Sequence, residues 1–401
     1  MGIGQKKSFL GLLLILCAYT LFPADFGVVG SFAAEYDSSE TGESSLTGLV
    51  SPWVSALFSP RLSLYVSAAL SAEYGEYRKK TQILFEMDRT ELSWRASPKV
   101  FLQFGRQRFR DDVGLIASGL FDGLQGSFGL GPVRLSLGAL YTGLLYKETA
   151  KILMNGRDAE RYAMAWDSSD LSAYFASRRM LLPLTVAFPA LSGRSSLVLN
   201  GIAQFDMNGA GADTLHSQYL ELSYRIDPLD PLHLTIAGVG GLSERPDLGF
   251  GFAAFIGADW EPPAAVQDLL SLELRWSSGR VDDTLGAYLP VSGISVGEIY
   301  TPRFSGLLYA GTAYTVRLVE ALSIKMGAGY FIRTDLETLQ DEFKKDAYTL
   351  GGELFGSLVW APQSAISISA GGGAFIPGMG SAFGTNDKVR SKARLGMMIS
   401  F

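Results

Sequence analysis

The sequence predicts an all-β fold: a transmembrane antiparallel up-and-down β-barrel of about 18 strands, preceded by an amino-terminal signal peptide. Three observations predict it. Apolar and polar residues alternate with a period of two along most of the chain. Short turns alternate with long polar connections, an asymmetry that a barrel has and a soluble sandwich has no reason to keep. The last nine residues, ARLGMMISF, form one more alternating strand that ends on an aromatic side chain.

Composition supports the same class. Of the 401 residues 47% are apolar, yet after the amino terminus no run approaches the ~20 consecutive apolar residues of a spanning helix. Charged residues make up only 18%, where a soluble domain carries roughly 25%. The formal net charge of -6, with no block of like charge, argues against a nucleic-acid partner. Lys6 and Lys7 precede the apolar run 9–22, the pattern of a secretory leader. Residues 1–24 are therefore assigned to the signal peptide and 25–401 to the barrel, with Ala24 and Ala33 as candidate cleavage points. The one cysteine, Cys17, lies in the leader, so the exported chain has no thiol for disulfides, catalysis or metal ligation.

Proline marks the short turns, because it cannot donate to a sheet ladder and pre-sets a bend. They fall at Phe58-Ser59-Pro60, Ala96-Ser97-Pro98-Lys99, Gly129-Leu130-Gly131-Pro132, Asp227-Pro228-Leu229-Asp230-Pro231, Glu261-Pro262-Pro263 and Ala361-Pro362-Gln363-Ser364. Ser192-Gly193-Arg194 and Val319-Glu320-Ala321 complete the set without proline. The long connections are 36–45, 110–121, 147–170, 207–215, 279–304, 335–346 and 377–391.

Between them the strands take faces. Leu62, Leu64, Val66, Ala68 and Leu70 oppose Ser63, Tyr65, Ser67, Ser71 and Glu73, the first set facing lipid. The same division separates Val133, Leu135, Leu137, Ala139 and Tyr141 from Arg134 and Ser136. It separates Leu220, Leu222 and Tyr224 from Glu221, Ser223 and Arg225, and Leu270, Leu272, Leu274 and Trp276 from Ser271, Glu273 and Arg275. Leu322, Ile324, Met326 and Tyr330 oppose Lys325 and Arg333; Tyr348, Leu350, Leu354, Leu358 and Trp360 oppose Thr349, Glu353 and Ser357. In the last strand Ala393, Leu395, Met397, Ile399 and Phe401 oppose Arg394, Gly396, Met398 and Ser400. Trp53, Trp94, Trp260, Trp276 and Trp360 stand near strand ends, where an interfacial girdle needs them. Counting gives about 18 strands, with 25–34 as the first, and both termini on the periplasmic side; cleavage at Ala33 would cost that strand and leave about 16. Closure is required because lipid cannot satisfy an open edge.

Residues 101–128 read FLQFGRQRFRDDVGLIASGLFDGLQGSF. This stretch resembles the alginate export family of outer-membrane porins through Gly105, Arg106, Gln107, Arg108 and Phe109, then Asp111 and Asp112, then Asp122 and Gly123. The resemblance implies an 18-stranded barrel with a basic constriction for an anionic polysaccharide, in which Arg106 and Arg108 line the pore. Strict alternation puts these arginines on the side of Leu102 and Phe104, so a bulge or the start of the loop must re-aim them if they line the pore, or else they snorkel at the rim or pair with Asp111 and Asp112. The strand ending at Phe401 likewise resembles the terminal signature that such barrels present to their assembly machinery.

The predicted inner face carries Arg134, Arg225, Arg275, Lys325, Arg333 and Arg394 against Glu73, Glu221, Glu273 and Glu353. Together with Arg106 and Arg108 these are the candidate pore-lining residues. A slightly basic lumen concentrates anionic solutes, unless the charges neutralise one another across neighbouring strands. The expected function is an outer-membrane porin or channel for small polar, anionic or saccharide-like solutes, in the bacterial outer membrane, with lipid as its other partner. No cofactor, metal ligand or catalytic residue is assigned. A surface-loop adhesin and an outer-membrane hydrolase are the alternatives. The hydrolase has only His216 and His233 to draw on, and His216 and Ser217 point to opposite faces of a strand. The glycines at 238, 240, 241 and 371–373 lack the following lysine and helix of a phosphate loop, and are expected to let strands bend. The loops 147–170 and 279–304 suit either surface partners or an inward fold that narrows the bore.

Overall fold

A computed structural model describes residues 23–401 except 39–42, 76–79, 166–169, 210, 212, 245–247, 264–265, 282–284, 339–345 and 384–386. Of the expected signal peptide 1–24, residues 1–22 lie outside the described residues. Eighteen antiparallel strands follow one another round a closed cylinder. They are β1 (Ala24–Asp37), β2 (Glu43–Ser59), β3 (Leu62–Gly75), β4 (Lys80–Ser97), β5 (Val100–Arg110) and β6 (Ser118–Leu130). Next come β7 (Val133–Tyr141), β8 (Arg179–Phe188), β9 (Ser195–Asp206), β10 (His216–Leu229), β11 (Leu232–Glu244) and β12 (Leu248–Trp260). The cylinder ends with β13 (Gln267–Ser277), β14 (Leu307–Val319), β15 (Leu322–Arg333), β16 (Thr349–Gln363), β17 (Ile366–Ile376) and β18 (Arg390–Ser400).

Closure uses the two ends of the chain. β1 pairs with β2 on one side and with β18 on the other, from Val29↔Ser400 to Asp37↔Lys392. Phe401 extends that ladder, its N–H donating to Val28 O at 2.9 Å while Val28 N–H donates to Phe401 O at 3.1 Å. No edge is left between the first strand and the last.

All eight predicted short turns fall at one rim. Six of them leave only two residues between strands, at 60–61, 98–99, 131–132, 230–231, 320–321 and 364–365. The opposite rim carries 111–117, 142–178, 207–215, 278–306, 334–348 and 377–389. The predicted faces also hold. Leu220, Leu222, Leu272, Leu274, Met326, Leu354, Leu395 and Met397 are all exposed, an apolar skin that only lipid would cover. Trp94, Trp260 and Trp360 are exposed beside the short-turn rim, and Trp276 toward the other end of β13. Trp53 departs from the girdle: it stacks on Tyr65 at 6.2 Å, on the inner face where Arg89 lies 4.8 Å above the Tyr65 ring.

Two departures from strict alternation have local causes. Leu350, expected to face lipid, is completely buried, because the β15–β16 register slips at Gly351, whose φ is +143°. That bulge moves an extra residue inward. In β5, Gly105 has φ +102°, and a Cβ there would sit 1.9 Å from Thr90 O, so no other residue fits where the two strands cross so closely. At Gly373 a Cβ would lie 2.2 Å from Leu354 O, so glycine there permits a close approach of the neighbouring strand.

Candidate functional site

The bore is not an empty tube. Loops 111–117, 142–178 and 278–306 fold inward and share one apolar core with the inner faces of β9 to β12. Leu115, Ile116, Ile152, Met154, Tyr288, Val291 and Phe304 pack there with Ile202, Tyr219, Val239 and Ala253. The loops are also stitched to one another. Tyr288 Oη donates to Leu115 O at 2.9 Å, Val291 N–H to Ile116 O at 2.8 Å, and Gly293 N–H to Lys151 O at 2.7 Å.

Buried carboxylates fix each loop. Asp111 accepts the backbone N–H groups of Leu115, Ile116 and Ala117 at 2.8, 3.0 and 2.7 Å. Burial pushes its carboxyl above the usual range, against the pull of those three amides. The 142–178 loop carries α1 (Lys147–Ala150) and α2 (Gly156–Ala163), the latter started by an Asn155/Asp158 capping box. Asp158 then meets Arg179 at 2.7 Å, and Arg179 meets Asp206 at 3.1 Å, with all three side chains fully buried. Glu353 accepts the successive N–H groups of Glu298, Ile299 and Tyr300 at 3.0 to 3.1 Å and so holds the 278–306 loop. Tyr300 stacks on Phe375 at 4.4 Å and meets Phe331 edge-on.

Most of the candidate pore-lining charges are spent on these ties. Arg225 pairs with Asp112 at 2.9 Å, Arg275 with Glu273 at 3.0 Å, and Lys325 with Glu298 at 2.7 Å. Glu221 accepts from Asn200 Nδ2 at 2.9 Å and Val113 N at 3.2 Å, and Arg333 donates to Ala347 O at 2.9 Å. Arg106 is 8% exposed and pairs with Asp122 at 2.9 Å rather than with Asp111 or Asp112. Arg108, two residues on, is exposed. Arg134, Arg394 and Glu73 remain exposed on the inner face. Asp112 and Glu298 were missing from the sequence-based list because loops carry no periodicity. Arg390 and Lys392 share the face of Arg394 and could have been read by extending that strand two steps back.

The candidate charges left exposed stand on β18 (Arg394), β3 (Glu73) and β7 (Arg134). Arg390, Lys392 and Arg394 stand at alternate positions on β18, with Lys392 2.9 Å from Glu35 and Arg390 stacked over Tyr300 and Phe383. Across β3, Arg89 pairs with Glu91 at 2.6 Å. A side chamber of about 410 Å³ opens beneath residues 295–298, lined by Glu273, Arg275, Lys325, Glu298, Tyr309 and Phe355. The histidines form no nucleophile–base pair with Ser217. His216 Nδ1 accepts Asp206 N–H at 3.1 Å, while Ser217 Oγ donates to Gln204 at 2.8 Å.

No protein-family model matches the sequence, and no curated protein matches it. Solved structures do match. Pseudomonas aeruginosa OccK2 (OpdF), in complex with glucuronate, aligns with a TM-score of 0.63 at 14% identity, over 94% of this chain and 98% of that one. The fold is that of the Occ/Opd outer-membrane porins. P. aeruginosa OccK5 (OpdH) aligns at 0.62 and 9% identity, and OpdK with vanillate at 0.61 and 11%, each over the same shares of the two chains. The alginate export resemblance of residues 101–128 thus reaches only as far as the porin architecture. Among the described residues no helix is long and apolar enough to cross a membrane.

Proposed function

We propose that the chain is a bacterial outer-membrane channel through which small polar solutes diffuse, with acidic saccharides and other carboxylates favoured over cations. One observation carries this reading: a lipid-compatible skin encloses an inner wall whose charges stay exposed, from Arg394 on β18 to Glu73 on β3. Solvated charge inside a low-dielectric cylinder is useful only where water and solute pass. Among the described residues Arg394 and Arg134 form no ion pair, and Arg390, Lys392 and Arg394 repeat on one face, which tilts the passage toward anions. The fold likeness to porins solved with glucuronate and vanillate supports carboxylates as cargo. On this reading lipid surrounds the barrel, and the strand ending at Phe401 engages the assembly machinery.

Swelling of proteoliposomes tests it. Vesicles carrying the protein should swell in glucose and faster in glucuronate, while protein-free vesicles should not. Absence of swelling in both would defeat the reading.

A further inference from the structure

The wall is not continuous between β4 and β5. Their ladder runs only from Ser97↔Val100 to Thr90↔Arg106. Above it β4 continues to Lys80, paired with β3 alone, while β5 continues to Arg110, paired with β6 alone. The β4 edge at residues 80–89 has no neighbouring strand on this side among the described residues, and it is roughly 30 Å long at ~3.3 Å per residue. Ile83, Phe85 and Met87 on this stretch are exposed apolar side chains, so the split stands at the level of the lipid-facing skin.

Side chains of the 142–178 loop close the split in place of a ladder. Tyr174 Oη donates to Phe85 O at 3.0 Å, Thr149 Oγ1 to Glu86 at 2.9 Å, and Arg106 bridges Met87 O and Leu144 O. The loop covers the β5–β6 hairpin as well. Arg106 (8%), Gln107 (1%), Leu120 (8%) and Phe121 (2%) are buried at successive positions, so both faces of that hairpin are covered. Leu144 and Leu171 of the loop are themselves exposed. Tyr146, Tyr174 and Phe175 form an aromatic seam, with rings 5.0 and 5.1 Å apart.

A barrel gains nothing from leaving an edge for side chains to satisfy, since a ladder would do so with many more bonds. A closure held by a few side-chain bonds opens at far lower cost than a strand pair. We propose that this seam is a lateral portal between lumen and lipid, closed by the 142–178 loop, that lets small aromatic amphiphiles pass sideways out of the bore. Aromatic rings line the path, apolar groups face the lipid, and Glu86 and the Arg106–Asp122 pair face the lumen side. The lateral route is separate from axial diffusion and is tested separately.

The test locks the seam. The double variant E86C/T149C is joined by a bifunctional thiol reagent with a reducible link in intact cells, and entry of N-phenylnaphthylamine is followed by fluorescence. Purified protein treated in the same way is recorded in planar bilayers. The portal predicts that joining the two residues lowers dye entry severalfold, that reduction restores it, and that ionic conductance is unchanged. Dye entry unaffected by the link would make the seam a static patch and overturn the portal. A parallel fall in conductance would make the loop an axial gate and overturn it equally. Loss of conductance before linking would count against the axial channel alone.

Discussion

Arg179 Nη2 lies 2.7 Å from Asp158 Oδ2 inside the barrel, with neither side chain reaching solvent, and its Nη1 lies 3.1 Å from Asp206. A strand residue thus neutralises one carboxylate of its own wall and one of an infolded loop. Removing one partner of a buried ion pair costs about 3–5 kcal/mol because the other charges are left unpaired. Arg179→Met should therefore free the 142–178 loop while the strand ladders keep the barrel closed. The expected result is unchanged heat-modifiable migration on gels together with larger, noisier conductance.

Glu353 holds the second infolded loop through three amides, each hydrogen bond to a charged group being worth roughly 1.5–3 kcal/mol. Glu353→Ala should release residues 298–300 and widen the side chamber. Protease cleavage within 278–306 should become several times faster, with the β-sheet circular dichroism signal unchanged.

Arg394 stands exposed on the predicted inner face of β18, without an ion-pair partner among the described residues. Arg394→Glu replaces a fixed positive charge by a negative one and should move the zero-current potential toward cations in a salt gradient. The shift should shrink as ionic strength rises and screening shortens.

β1 supplies both closing ladders, so processing must spare it. Cleavage after Ala33 would leave four residues of the strand and expose the edges of β2 and β18 to lipid. The mature amino terminus read by mass spectrometry should begin before Val29, close to Ala24.

Much of this architecture was readable in advance. Period-two alternation placed Leu220 and Glu221, or Leu272 and Glu273, on opposite faces, and proline or glycine marked every short turn but Val319-Glu320-Ala321, because the pleat and the turn are local properties of the chain. Leu350 was misread because a one-residue bulge at Gly351 shifts all that follows and leaves no mark in composition. Trp53 was misread because a tryptophan near a strand end looks the same whether it meets lipid or stacks on Tyr65. The site was less legible. The charges Arg225, Arg275, Lys325 and Glu353 were on the predicted inner-face list, but the partners Asp112, Glu298 and the 298–300 amides come from loops whose path is set by tertiary packing. Glu273 was on the inner-face list, though its pairing with Arg275 was not foreseen. Arg106 was expected to need a bulge to turn inward; Gly105 supplies an unusual backbone, and the guanidinium fills the β4–β5 seam.

Single-channel recording in planar bilayers tests the central claim that the bore is open and wet. The structure predicts steady ohmic steps, with a zero-current potential on the anion side in a salt gradient. Purified, heat-modifiable barrels that produce no steps would contradict it.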